Sequence, residues 1–84
     1  MTERVTTVRD MATYVIVIER ARDGGYGAYA PDLPGCVALG DTIEECEREM
    51  GEAIAFHIEG LRRYDEPVPK PSAVAAALVE IPDI

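Results

Sequence analysis

The chain has 84 residues, 48% of them hydrophobic, with eight Lys and Arg against sixteen Asp and Glu and a net charge of -8. That length holds a single domain, read as residues 1–84, whose core lies near the lower limit of independent stability and gains from a partner. The charge opposes a surface built for phosphate backbones and suits either solubility alone or a basic protein partner, which composition does not separate. No apolar run approaches the roughly 18 residues that cross a bilayer, and Met1–Ala12 lacks an apolar signal core, so a cytoplasmic chain is expected.

Residues 1–11 are polar and threonine-rich, a flexible or edge arm. Ala12–Ala21 is rich in β-branched residues, and its centre, Val15 to Ile18, is apolar at every position, the pattern of a strand buried on both faces. Arg22-Asp23-Gly24-Gly25 supplies turn residues and Tyr26–Ala30 a second strand, which together predict a hairpin. Two prolines bar Pro31-Asp32-Leu33-Pro34-Gly35 from a central strand, and Pro34-Gly35 suits a type II turn with glycine at positive φ. Cys36–Leu39 is a short third strand, broken by Gly40-Asp41.

Thr42 is the expected N-cap, with Glu45 three residues on completing a capping box. The helix is predicted over Ile43–Arg63, with Ile43, Cys46, Met50, Ala53, Ile54, His57, Leu61 and Tyr64 along one face. Asp65–Ser72 holds three prolines in eight residues and reads as extended loop. Ala73–Ile81 mixes helix-favouring alanines with Leu78-Val79-Glu80-Ile81, and the reading adopted is a fourth strand at Ala76–Ile81.

The expected order is β-β-β-α-β, a two-layer α+β domain with a three-stranded antiparallel meander. A right-handed crossover through the helix places the fourth strand parallel to the first, which becomes central. The long helix covers one face of the sheet. The other face stays bare, and an apolar face on so small a domain predicts self-association.

Chemistry is sparse. His57 is the single histidine and lies on the apolar helix stripe; its spacing to Cys36 and Cys46 matches no zinc pattern, and the two thiols read as small buried residues. Asp32 and Asp41 flank the third strand but are more simply turn and cap-adjacent residues. Gly24-Gly25-x-Gly27 lacks the strand-then-helix setting of a nucleotide loop. No catalytic, cofactor-binding or metal residue is assigned. Asp41, Glu44, Glu45, Glu47, Glu49 and Glu52 cluster within twelve residues, opposed only by Arg48. They form either a solvated helix face or a docking face for a basic partner, and Phe56 projects away from the core stripe. The candidate partner surface is therefore Glu44, Glu45, Glu49, Glu52 and Phe56.

At Tyr26, Tyr29, Pro31, Asp32, Leu33, Pro34, Gly35, Cys36, Gly40, Asp41, Thr42 and Glu45 the chain resembles the HicB-like antitoxin family, a likeness that extends through Glu52-Ala53 to Val68-Pro69-Lys70-Pro71-Ser72. The resemblance implies a partial ribonuclease-H-like fold and an antitoxin that masks a small basic toxin, itself a ribonuclease acting on messenger RNA. It implies no catalysis by this chain, and dimers or tetramers. Many relatives add a C-terminal helix-turn-helix or ribbon-helix-helix domain. This sequence ends at Ile84, directly after the last expected strand, so direct DNA binding is not expected. The alternative is a solitary oligomeric domain that binds a small ligand or a nucleic acid without a toxin.

Overall fold

The computed structural model describes residues 12–82; the expected arm at 1–11 lies outside the described residues. Strands β1 (Val17–Arg20), β2 (Tyr26–Tyr29) and β3 (Val37–Gly40) precede one helix, α1 (Ile43–Arg63). The sheet order is β1-β2-β3, antiparallel throughout.

The first hairpin closes through Ala21 N donating to the Gly25 carbonyl at 2.7 Å and Gly24 N to that of Ala21 at 3.2 Å, with Gly24 at φ 97°. Asp23 Oδ1 accepts from Gly25 N at 3.0 Å, a side chain holding its own turn. The strand expected over Ala12–Ala21 pairs only from Val17. Val17 lies opposite Tyr29, so continuing the register sets Val15 against Pro31, which has no N–H to donate.

After β2 the chain makes two successive turns, with Leu33 N donating to the Ala30 carbonyl at 3.0 Å and Cys36 N to that of Leu33 at 3.1 Å. Gly35 sits at φ 84°, the left-handed position a type II turn requires. Between the prolines, Leu33 drops into the interior and is fully buried with Cys46 and Met50. With Ala28, Ala30 and Cys36 these form the core, and Tyr14, Ile16, Ile18, Tyr26, Ala38, Ala53 and Ile54 pack around it. Four of the six core side chains are Ala or Cys, so little apolar area is removed from water.

The register puts Ile18, Ala28 and Ala38, and next to them Arg20, Tyr26 and Gly40, on the helix side of the sheet. Helix α1 leans on β3 and β2 more than on β1. It begins so close to β3 that a Cβ on Gly40 would lie 2.5 Å from the Cys46 backbone nitrogen. The opposite face carries Val17, Tyr29, Val37 and Leu39, and Val37 and Leu39 are 64% and 75% exposed. The expected bare apolar face is thus present.

Thr42 caps α1, its Oγ1 accepting from Glu45 N at 3.0 Å. Glu45 returns the contact one residue earlier than the standard box, to Asp41 N at 2.5 Å. At the other end Asp65 N donates to the Arg62 carbonyl and Glu66 N to that of Leu61, with Asp65 at φ 61°. That is a Schellman closure with aspartate in the place glycine normally takes.

The topology differs from expectation at the C-terminus. Among the described residues, 66–81 join no ladder, so Ala76–Ile81 is not a paired fourth strand there and β1 is an edge rather than the centre. The tail is held early, by Tyr14 Oη donating to the Pro69 carbonyl at 2.6 Å and by contacts of Ser72 and Ala73 with Asp32. Beyond Ala73 the tail packs on none of the described residues to any depth: Val74 is 92% exposed, and Leu78, Val79 and Ile81 are exposed too.

Candidate partner-binding surface

The helical period decides which of the acidic side chains act together. At about 100° per residue, Glu45 and Glu49 lie within about 20° of Phe56 around the helix axis and Glu52 within about 40°, whereas Glu44 is about 120° away. The surface expected from sequence is therefore split. Glu45, Glu49, Glu52 and Phe56 share the flank of α1, and Glu44 points elsewhere. Glu45 is also committed in part, because its carboxylate closes the cap.

Phe56 is 77% exposed. It stands on a groove of about 470 Å³ between the helix and the start of β3, lined by Gly35, Cys36 and Val37 on one wall and by Ala53, Phe56, His57, Gly60, Leu61 and Tyr64 on the other, with Glu66 at one end. Phe56, Gly60 and Tyr64 recur every four residues, and the missing side chain at Gly60 opens the groove between the two rings. Along the same flank, Glu45 and Glu49 line a second, polar cleft with Asp23, Tyr26, Leu39, Gly40 and Asp41. One side of the domain thus grades from carboxylates at the helix N-terminal half to an apolar trough at its C-terminal half. Sequence reasoning singled out Phe56 but not Gly60, Tyr64 or Val37. The four-residue recurrence and the bare-face alternation of β3 were the available signals.

His57 lines the groove and does not meet a metal set; among the described residues no three His, Cys, Asp or Glu side chains come together to hold an ion. Cys36 and Cys46 are free and buried, and burial pushes the Cys36 thiol up from its ordinary value.

The remaining motif residues build the frame. Tyr26 stacks under the Arg20 guanidinium, 5.3 Å from its ring centre. Tyr29 lies on the bare sheet face. Asp32 does more than shape its turn. Its Oδ2 accepts from Ser72 N at 2.9 Å and Ala73 N at 3.0 Å, and its Oδ1 from the Ser72 hydroxyl at 2.7 Å. These bonds, the Ser72 hydroxyl foremost and then the amides of Ala73 and Ser72, hold the carboxyl below the usual aspartate value. The Pro-Asp-Leu-Pro-Gly turn and the Pro-Lys-Pro-Ser segment are two halves of one joint.

This frame matches proteins of one kind. The family model described as "HicB_like antitoxin of bacterial toxin-antitoxin system" matches residues 14–83. The chain belongs to the HicB-like antitoxin family. It is 39% identical over 72 residues to a UPF0150 protein of Synechocystis sp., covering 86% of this chain and 91% of that one. It is 30% identical over 69 residues to Antitoxin HicB 1 of Photorhabdus laumondii, covering 82% of this chain but 44% of the relative. An uncharacterized 14.9 kDa protein of Haemophilus phage HP1 is 46% identical over 61 residues, 73% of this chain and 45% of the phage protein. The chain therefore spans less than half the length of those last two. Among solved structures, the crystal structure of the N-terminal domain of Burkholderia pseudomallei antitoxin HicB aligns with a TM-score of 0.63 at 30% identity, over 70% of this chain and 69% of that one. The three antiparallel strands and long helix of this HicB-like domain are those of an α+β domain similar to that N-terminal domain.

Proposed function

We propose that this chain is the antitoxin of a toxin–antitoxin pair and acts by binding, without catalysis of its own. In this reading it works in the cytoplasm, as a dimer or tetramer with a partial ribonuclease-H-like fold, and masks a small basic toxin that cleaves messenger RNA. Family membership supports the role. The observation that carries the mode of binding is the graded flank of α1, where the Phe56–Gly60–Tyr64 trough continues into Glu49, Glu52 and Glu45. An apolar trough accepts anchoring side chains, and neighbouring carboxylates steer a cationic protein and set its orientation. The net charge of -8 agrees with a basic partner and opposes direct DNA binding.

The test is co-expression with the product of the neighbouring open reading frame, reading relief of growth arrest and inhibition of RNA cleavage. Phe56→Ala and Glu49→Lys/Glu52→Lys should each weaken the complex at least tenfold, about 1.4 kcal/mol, with helix content unchanged. The charge reversal should also flatten the salt dependence of association. Full toxin protection by both variants would remove this surface from the reading. A neighbour without toxicity would return the chain to the class of solitary oligomeric domains, for which the groove is large enough to hold a small ligand.

A further inference from the structure

Strand β1 presents a contradiction between sequence and position. Val15-Ile16-Val17-Ile18 is the apolar run of a strand flanked on both sides, yet among the described residues β1 pairs with β2 alone and lies at the edge of the sheet. The same chain carries a second contradiction. The tail from Ala73 to Ile81 has strand-forming residues at its end, joins no ladder among the described residues, and leaves Val74, Leu78, Val79 and Ile81 exposed. Alternation sends Val74, Ala76 and Leu78 to one side and Ala75, Ala77, Val79 and Ile81 to the other, so both sides are apolar apart from Glu80 beside Leu78. An edge that lacks a neighbour and an apolar tail that lacks a sheet are complementary.

We infer that the tail of one copy, residues 73–81, adds as a strand to the β1 edge of a second copy, and that the exchange is reciprocal in a two-fold dimer. The tail is long enough, since Ala73–Ile81 comprises nine residues against the four of β1. The joint at Asp32 holds Ser72 and Ala73 to the body by three hydrogen bonds, which fixes where the tail leaves while its apolar part stays free to reach another molecule. Reciprocal addition closes both open β1 edges at once, as a two-fold interface does. Exchange of an identical element between copies is a low-cost route to a dimer. This inference rests on the self-association in the proposed function and names its surface; it requires nothing of the toxin.

The experiment uses the full chain and two variants, Leu78→Asp and Val79→Asp, in side chains exposed in the single chain, so that the body and its helix content stay as they are. Light scattering at micromolar concentration should give an even multiple of the 9.2 kDa chain mass for the natural sequence and a shift to the single mass for both variants. Hydrogen exchange should protect the Val15–Glu19 amides in a concentration-dependent way, and the variants should lose that protection. A single-mass species without β1 protection overturns both the exchange and the self-association. A single-mass species with β1 protected overturns the exchange in favour of a strand folded back in its own chain. An oligomer indifferent to both substitutions overturns the exchange alone and leaves self-association through another face.

Discussion

Two glycines separate the reasons a side chain is refused. At Gly35 the backbone is left-handed at φ 84° and a Cβ would meet nothing within 4 Å, so Gly35→Ala costs conformational strain alone, about 1–2 kcal/mol. At Gly40 the obstacle is contact: the added carbon would sit 2.5 Å from the Cys46 nitrogen and 2.7 Å from its Cα, both backbone atoms that cannot swing aside. Gly40→Ala must push α1 off β3 and should destabilise by about 1–3 kcal/mol or more. Urea melts of the two variants check this. The Gly40 variant should also shift the amide signals of the first helical turn, and the Gly35 variant should not. The turn at Gly35 was legible in the sequence because Pro-Gly states its own geometry. The role of Gly40 was not, since what it avoids is Cys46, and only the angle between strand and helix brings them together.

Among the elements, α1 is the one whose bounds and cap were read from sequence. Its bounds, its cap at Thr42 and its buried Cys46 and Met50 follow from a period and from residues within four positions of one another. The expected stripe was too long at its ends, for Ile43 and Tyr64 are exposed where the helix overhangs a sheet of four-residue strands. The C-terminal closure carried no sequence signal, because Asp65 occupies a position where glycine would have announced it. Asp65→Gly relieves a left-handed non-glycine residue and should stabilise by about 0.5–1 kcal/mol, net of glycine's added freedom in the unfolded chain. A raised urea midpoint with unchanged slope is the expected result; a lowered midpoint refutes the closure as described.

Across the whole molecule, the joint between Asp32 and Ser72–Ala73 links two segments that local reasoning treats as a turn and a loop. Since the folded structure lowers the Asp32 value, the charged carboxylate favours the tethered tail. The tether is complete at neutral pH and down to the ordinary aspartate range, and is lost as pH falls below it through the lowered value. In an acid titration the Ser72 and Ala73 amide resonances should move to free-chain positions, and Asp32→Ala should place them there at neutral pH. Amides that keep their shifts through the titration would contradict the tether. If the tail is exchanged between copies, its release also loosens the dimer, so acid should lower the apparent mass over the same interval.

Composition and short-range pattern alone determined the order of three strands and a helix, the turn and cap residues, the bare sheet face and the resemblance to HicB-like antitoxins, because each depends on neighbours a few positions apart. They placed the tail as a fourth strand and β1 at the centre of the sheet, where the structure has neither among the described residues, and they did not join Asp32 to the tail. Those depend on how strands, helix and tail are arranged in space, as in the contact of Asp32 with Ser72 across 40 positions. A segment such as Leu78-Val79-Glu80-Ile81 reads as strand from its own residues, but a strand exists only where another backbone offers its free donors and acceptors.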